Sequence, residues 1–172
     1  LSKVGLCAKE YVDREINSSL SGGELKRIEI ATVAVRNSKF TIFDEPEAGI
    51  DLWSFQSLTK VFEDMKKELK GSILIISNQE RILNISYEFV VIVGPSGAGK
   101  TTVLNILGGM DTATEGKELV DGKDVAKYTP KMLTGYRRDD IGFVFQFYNL
   151  VPNLTALENV ELALQICKEP LD

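Results

Sequence analysis

The chain has 172 residues, of which 44% are hydrophobic and 26% charged, as is typical of one globular domain. Its net charge is −5 and its basic residues do not gather in one segment, which excludes nucleic acid as the expected partner. The apolar runs are far too short to span a bilayer, and Cys7 and Cys167 form no close pair that would indicate a zinc site or a disulfide framework.

Apolar runs alternate with amphipathic segments along the chain. Short runs rich in β-branched residues predict strands at Lys39–Phe43, Ser72–Ile76, Phe89–Val93 and Ile141–Phe145. Helical spacing and capping residues predict helices that start near Ser21 and that cover Leu52–Lys70, Gln79–Ile85, Lys100–Leu107 and Thr155–Cys167. Glu118–Val120, with the turn residues Asp121 and Gly122, predicts a β-hairpin. This order predicts an α/β fold with a largely parallel sheet.

A glycine-rich segment follows the third predicted strand and leads into a helix. It comprises Gly94, Pro95, Ser96, Gly97, Ala98, Gly99, Lys100, Thr101 and Thr102. From Gly94 to Thr101 it fits the G-x-x-x-x-G-K-[ST] pattern in full, with backbone amides that can turn inward around a polyphosphate. Lys100 is placed to reach the β- and γ-phosphates, and the Thr101 hydroxyl to bind Mg²⁺. Pattern and context favour a P-loop over the alternative of a glycine-rich turn without a ligand.

Two carboxylates, Asp44 and Glu45, directly follow the strand predicted at Lys39–Phe43. Ligands of open α/β sheets bind at the carboxyl ends of the strands. Asp44 is therefore a candidate to hold Mg²⁺ through water, and Glu45 is a candidate to polarise an attacking water. The alternative is an acidic turn exposed to solvent, and the phosphate loop in the same chain favours the functional interpretation.

A short segment near the N-terminus resembles the signature motif of ABC ATPases, which is rare outside that family. It consists of Leu20, Ser21, Gly22, Gly23 and Glu24. The resemblance implies that Ser21 and the backbone amides after it contact the γ-phosphate of a nucleotide held by the other protomer of a dimer. It also implies a P-loop NTPase core with a helical subdomain, and residues 1–172 as a single ABC ATPase domain.

Two further segments resemble other sequence motifs of the ABC family. Gly49, Ile50 and Asp51 resemble the D-loop, and Gln146, just after the last predicted strand, resembles the Q-loop glutamine. The resemblance implies that Gln146 contacts Mg²⁺ and senses the partner protein. The candidate metal ligands are then Thr101, Gln146 and Asp44.

The two halves of the chain resemble different ABC subfamilies. Residues 1–88, with the signature and the acidic pair, resemble the Suf-type iron–sulfur assembly ATPase over Leu20–Ala31 and Phe43–Phe55. Residues 89–172, with the phosphate loop and the glutamine, resemble the ATPases of lipoprotein-release and macrolide-export transporters. The stretches that carry this second resemblance are Gly94–Gly109 and Ile141–Leu150.

The order of the motifs departs from the family. In the family the phosphate loop and the glutamine precede the signature, the acidic pair and a histidine. In this chain the last three motifs come first. The chain thus resembles a circular permutant or a chimera, with a joint near Val90 to Ile92. We expect the adenine-stacking β-region and the last strand of the family to be absent, which should expose sheet edges. The start at Leu1 leads us to expect a fragment or a processed chain.

The place of the family's switch histidine is taken by Asn78, and the chain contains no histidine. The Asn78 amide is shorter than an imidazole and always neutral, although its NH₂ can still donate to an oxyanion. We therefore expect the catalytic set of Glu45, Asn78 and Gln146 to hydrolyse ATP slowly.

These resemblances predict a subunit that binds ATP and Mg²⁺, forms a dimer with itself or with a related ATPase protomer, and hydrolyses ATP to drive a partner. The partner is a transmembrane permease or an iron–sulfur scaffold protein, and the Q-loop region favours the permease. The alternatives are a nucleotide-binding interaction module with little turnover and a non-functional recombined fragment. We expect a cytoplasmic protein, or one attached peripherally to the inner face of the membrane.

Overall fold

The computed structural model describes residues 1–68, 71–78 and 90–166. Helices α1 to α6 are Ala8–Tyr11, Gly22–Ala34, Leu52–Glu68, Lys100–Leu107, Pro130–Asp139 and Ala156–Gln165. Strands β1 to β6 are Phe40–Asp44, Ser72–Ser77, Val90–Val93, Leu119–Val120, Lys123–Asp124 and Ile141–Val144. Short 3-10 helices lie at Ser2–Val4 and Val125–Lys127.

Parallel strands form the central sheet, in the spatial order β3-β2-β1-β6. The register places Asp44 beside Ile76 and Ser77 beside Val93, so the carboxyl ends of β1, β2 and β3 lie at the same edge. The predicted α/β fold with a largely parallel sheet is confirmed. Because β2 lies between β1 and β3, the acidic pair and the phosphate loop face each other across the end of β2.

Apolar layers cover both faces of the sheet, because successive side chains of a strand point to opposite faces. On one face Phe43 and Ile75 pack with α2 and α3, and the rings of Phe43 and Phe62 meet edge to face at 4.8 Å between centroids. On the other face Ile42 and Ile76 pack with α4 and α5. The central strands are thereby buried on both sides, which holds their carboxyl ends in place.

Most predicted elements are confirmed, with differences at their ends. The predicted hairpin is β4 and β5, joined by Asp121 and Gly122 at φ of 50° and 74°. The helix predicted at Gln79–Ile85 lies outside the described residues. Helix α5 was not predicted, because its sequence is polar on average, although its buried residues Leu133 and Tyr136 lie three positions apart, as on one face of a helix. A signal existed in Thr129, whose side chain caps the helix before a proline.

The two ends of the sheet differ in exposure. At one end Val90 of β3 is 64% exposed, the rest of β3 is half-buried, and β2 is the described strand that pairs with it. At the other end β6 is buried throughout, and α2 and α5 pack against it. The unpaired sheet edges that the sequence leads us to expect remain a prediction.

Candidate functional site

The phosphate loop connects the end of β3 to the start of α4. Gly97 and Gly99 have φ of 82° and 80°, a left-handed backbone that favours glycine. A Cβ at either position would have nothing within 4 Å, so the loop opens to solvent on that side. Pro95 to Gly99 are exposed, and Thr101 and Thr102 are exposed in the first turn of α4. A helix N-terminus therefore stands at an accessible loop, as an anion site requires.

Lys100 lies inside this loop and is 7% exposed. Its Nζ donates hydrogen bonds to the carbonyl oxygens of Gly94 and, at 3.1 Å, of Pro95. The same Nζ lies 3.7 Å from Oε1 of Glu45. The structure thus places the phosphate-loop lysine beside the acidic pair.

Glu45 lies at the turn that ends β1. Its φ is 43°, and its N–H donates to the carbonyl oxygen of Ile76 at 2.8 Å. Its Oε2 accepts a hydrogen bond from Nε2 of Gln146 at 3.1 Å. The carboxylate is therefore held between Lys100 on one side and Gln146 on the other. We call Lys100, Glu45 and Gln146 the phosphate cluster.

The candidate Mg²⁺ ligands lie around this cluster. Asp44 is 7% exposed, and its pKa is raised because burial disfavours the charged form and the Glu45 carboxylate adds negative charge. Asp44 precedes Glu45 in the chain and Thr101 follows Lys100, so both lie at the edge where Gln146 lies. Carboxylate, hydroxyl and amide oxygens are hard donors that suit Mg²⁺. Among the described residues, no group of three or more His, Cys, Asp and Glu could hold a metal.

Asn78 follows β2 and is exposed at the same edge. Its backbone N–H donates to the carboxylate of Glu47, and the Ser77 hydroxyl donates to Oε1 of Glu47. Glu47 is 5% exposed, and burial raises its pKa. Sequence analysis did not single out Glu47, because no spacing pattern points to it. It ties the loop after β1 to the end of β2 and so fixes the backbone at Asn78.

The signature segment caps α2. Ser21 is exposed, its Oγ accepts the N–H of Glu24 at 3.3 Å, and Glu24 Oε2 accepts the N–H of Ser21 at 2.6 Å. Hydrogen bonds from the Tyr11 hydroxyl and from Ser21 lower the pKa of Glu24 to about 2. Leu20 and Gly23 are buried, which leaves Ser21 as the exposed end of the helix.

Gly22 lies in close contact with two other segments. A Cβ on Gly22 would lie 2.4 Å from the carbonyl oxygen of Gly49 and 2.5 Å from the hydroxyl oxygen of Tyr148. Gly49 itself has φ of 75°, while Ile50 is half-buried and Asp51 exposed. The fold thus brings the signature, the predicted D-loop and the loop after β6 together, and Gly22 leaves no room for a larger side chain.

A buried ion pair lies on α2 just beyond the signature. Lys26 and Glu29 are 0% and 1% exposed, and Lys26 Nζ lies 2.9 Å from Glu29 Oε2. Burial raises the pKa of Glu29, and the adjacent Lys26 charge opposes that rise. Sequence analysis missed this pair, because a lysine and a glutamate at this spacing are usually an exposed pair on a helix surface.

Comparison with known proteins finds a matching family and several similar ATP-binding proteins. The family model described as ABC transporter matches residues 1–48 and 84–170. Uncharacterized ABC transporter ATP-binding proteins of Thermotoga maritima and Methanocaldococcus jannaschii are 54% and 52% identical over 77 and 95 residues. These matches cover 45% and 55% of this chain, and 33% and 40% of those proteins. The macrolide export ATP-binding/permease protein MacB of Brucella abortus is 55% identical over 75 residues, 44% of this chain and 12% of that protein.

The matched part of this chain thus spans less than half the length of each of these relatives. No solved structure matches the chain significantly. In the part of the chain that the structure describes, no helix is both long and apolar enough to cross a membrane.

Proposed function

The chain belongs to the ABC transporter family, and on that basis we propose that it binds ATP with Mg²⁺ and hydrolyses the nucleotide. The observation that carries this proposal is the phosphate cluster, in which Glu45 lies 3.7 Å from the Lys100 ammonium and 3.1 Å from the Gln146 amide. These residues come from three separate segments and meet at the carboxyl edge of the sheet, which is where open α/β folds bind ligands.

In this proposal residues 1–172 act as a single domain built from both halves of the chain. β1 of the first half pairs with β6 of the second, and β2 pairs with β3 in the same sheet. The phosphate cluster also draws on both halves, since Glu45 precedes the joint and Lys100 and Gln146 follow it. The permuted motif order is therefore compatible with a site for the nucleotide phosphates that draws on both halves of the chain.

Nucleotide binding uses the phosphate loop and the start of α4. Backbone amides of the loop bind the phosphate oxygens, and the Lys100 ammonium exchanges its loop carbonyl partners for charge-assisted bonds to the β- and γ-phosphates. Thr101, Asp44 and Gln146 hold Mg²⁺, which neutralises charge on the phosphates.

In the hydrolysis step, the attacking water molecule lies between the Glu45 carboxylate and the γ-phosphate. The water oxygen bonds to the γ-phosphorus as the bond to the β–γ bridging oxygen breaks, and Glu45 accepts the water proton. Gln146 and Lys100 hold the Glu45 carboxylate in position on its two sides. Asn78 supplies a neutral amide donor where a histidine stands in the family, so turnover is slow.

The exposed signature supports the assembly of two protomers into a dimer. Ser21 is exposed, and its hydroxyl already accepts a bond from Glu24, so its O–H is available to the nucleotide of a second protomer. We propose a dimer of this kind, working with a transmembrane permease, since one relative is described as an ATP-binding/permease protein. An iron–sulfur scaffold protein is the second candidate partner. Either places the chain in the cytoplasm or at the inner face of the membrane.

A second function, that of a nucleotide-binding interaction module with little turnover, is favoured by Asn78 and by the expected absence of the adenine-stacking β-region. An assay of phosphate release from Mg-ATP distinguishes the ATPase from the interaction module. Calorimetry measures nucleotide binding, and Glu45→Gln is the control. Release that Glu45→Gln abolishes while ATP still binds supports the ATPase. Binding without release supports the module, and the absence of binding contradicts both.

A further inference from the structure

The loop after β6, which carries Gln146, rests on the buried ion pair of α2. Lys26 Nζ donates to the carbonyl oxygens of Phe145 at 2.7 Å and of Gln146 at 3.5 Å. Glu29 Oε1 accepts the N–H groups of Phe145 at 3.3 Å and of Asn149 at 3.1 Å. The loop backbone therefore accepts hydrogen bonds from one ammonium and donates hydrogen bonds to one carboxylate, both of which lie beneath it.

Stability alone does not explain a pair of this kind. Desolvation of two buried charges offsets most of their attraction, and a well-packed apolar pair of similar volume is commonly as stable. An apolar pair, however, supplies neither the donors of an ammonium nor the acceptors of a carboxylate. Here those donors and acceptors are used on the loop backbone, at the point where β6 has ended and the sheet no longer provides partners.

The pair also lies between two functional segments. On one side the loop carries Gln146, whose amide donates to Glu45. On the other side Tyr148 of the loop lies with its ring centroid 5.0 Å from Lys26 Nζ, and its hydroxyl lies against Gly22 at the start of α2. A continuous set of contacts thus runs from the signature helix, through Lys26 and the loop, to the hydrolytic carboxylate.

We propose that the Lys26–Glu29 pair is a positioning device that holds Gln146 at Glu45 and couples the signature helix to the hydrolytic site. The part of this inference that concerns turnover rests on the proposed ATPase function. The part that concerns the geometry of the loop does not, and it is measured separately by amide hydrogen exchange.

The test replaces both charges at once, with Lys26→Met/Glu29→Met in the full chain. The matched control is Asp64→Asn/Lys67→Met, which removes an exposed pair of the same helical spacing on α3. We expect the first variant to stay folded, while the amides of Phe145 and Asn149 exchange at least about tenfold faster and those of β1 do not change. With Mg-ATP we expect kcat to fall at least about tenfold at unchanged KM. The control should match the wild type in both measurements.

Wild-type exchange and wild-type kcat in the folded double variant would overturn the inference. If the wild-type chain itself releases no phosphate, the proposed hydrolysis fails, and the exchange rates alone decide the positioning role. If that double variant does not fold, Lys26→Met/Glu29→Gln and Lys26→Met/Glu29→Leu replace it, since neither leaves a buried charge without its partner. The amide oxygen introduced by Glu29→Gln keeps an acceptor for the loop N–H groups, so the inference expects slower exchange in the variant with Glu29→Gln than in the one with Glu29→Leu, and equal rates would overturn it.

Discussion

The phosphate loop and the loop after β6 reach the same carboxylate by different means. The phosphate loop is held locally, since Lys100 bonds to carbonyls five and six positions earlier and the turn depends on glycines at positive φ. The loop after β6 is held by Lys26 and Glu29, whose partners in the loop lie 116 to 120 positions away. The conformation of the phosphate loop is therefore fixed by its own residues, whereas the conformation of the loop after β6 depends on residues of α2.

The two loops also follow strands that differ in exposure. The phosphate loop follows β3, an edge strand whose first residue, Val90, is 64% exposed. Its local hydrogen bonds form whether or not a further strand covers that edge. The loop after β6 follows a strand that is buried throughout, and it depends on the packing of α2 against β6. Damage to α2 should therefore displace Gln146 and leave the phosphate loop intact.

The largest expected effect comes from breaking the buried pair on one side. Lys26→Met leaves the Glu29 carboxylate buried without its cation, and removal of one partner of such a pair costs about 3–5 kcal/mol in the free energy of unfolding. Urea unfolding measures this cost. Lys39→Met serves as the control, because it breaks an exposed pair with Asp140 at 2.9 Å, where a loss below about 1 kcal/mol is expected. Equal losses in the two variants would contradict the distinction between the loops.

The next effect concerns the edge between the two loops, where Asn78 lies at the end of β2. Asn78→His restores a longer donor that can carry charge near neutral pH. One preorganised donor at developing charge is commonly worth about 10²–10³ in rate, so we expect a gain in kcat up to that size at unchanged nucleotide affinity. Phosphate release and calorimetry measure the two quantities. If Asn78→His leaves kcat unchanged while Glu45→Gln abolishes turnover, the rate-limiting step does not depend on the residue at position 78.

A smaller effect tests the independence of the phosphate loop. Lys100→Ala removes charge-assisted bonds worth about 1.5–3 kcal/mol, so Mg-ATP should bind roughly 10- to 100-fold more weakly. Exchange of the amides of Phe145 and Asn149 should stay at the wild-type rate, because their partners lie on α2. Unchanged affinity by calorimetry would contradict the phosphate-loop assignment, and faster exchange would show that the two loops are coupled.

The smallest effect is at the cap of α2. The pKa of Glu24 is lowered to about 2, so the unfolded chain binds more protons than the folded chain at mildly acid pH. Its ionised form therefore stabilises the fold above its ordinary pKa, and this contribution is lost as the pH falls toward 2. Glu24→Gln keeps the acceptor of the cap, and because solvent screens the partly exposed Glu24 charge, we expect a loss below about 1 kcal/mol at neutral pH. Unfolding curves of the two proteins should converge in acid, and a constant difference would refute the assignment.

The phosphate cluster was largely predictable, because each of its members belongs to a contiguous pattern. Lys100 follows from the glycine spacing and Glu45 from its place after an apolar strand, whereas Gln146 was predicted from its resemblance to the Q-loop glutamine. Local rules also predicted the cap of α2 at Ser21 and the hairpin turn. Helix α5 was not predicted, because its sequence is polar on average and its apolar face is narrow, with Leu133 and Tyr136 as its buried residues.

The sequence by itself determined the family, the phosphate loop, the acidic pair and the start of α2, because their information lies within short segments of fixed spacing. Only the tertiary structure decided that β2 lies between β1 and β3, that Glu47 binds the backbone at Asn78, and that Lys26 and Glu29 are buried under the loop after β6. The physical reason is that burial reverses the expectation for such charged residues. On an isolated helix they face water, whereas here the packing of α2 against β6 removes the water and leaves the loop backbone as their partner.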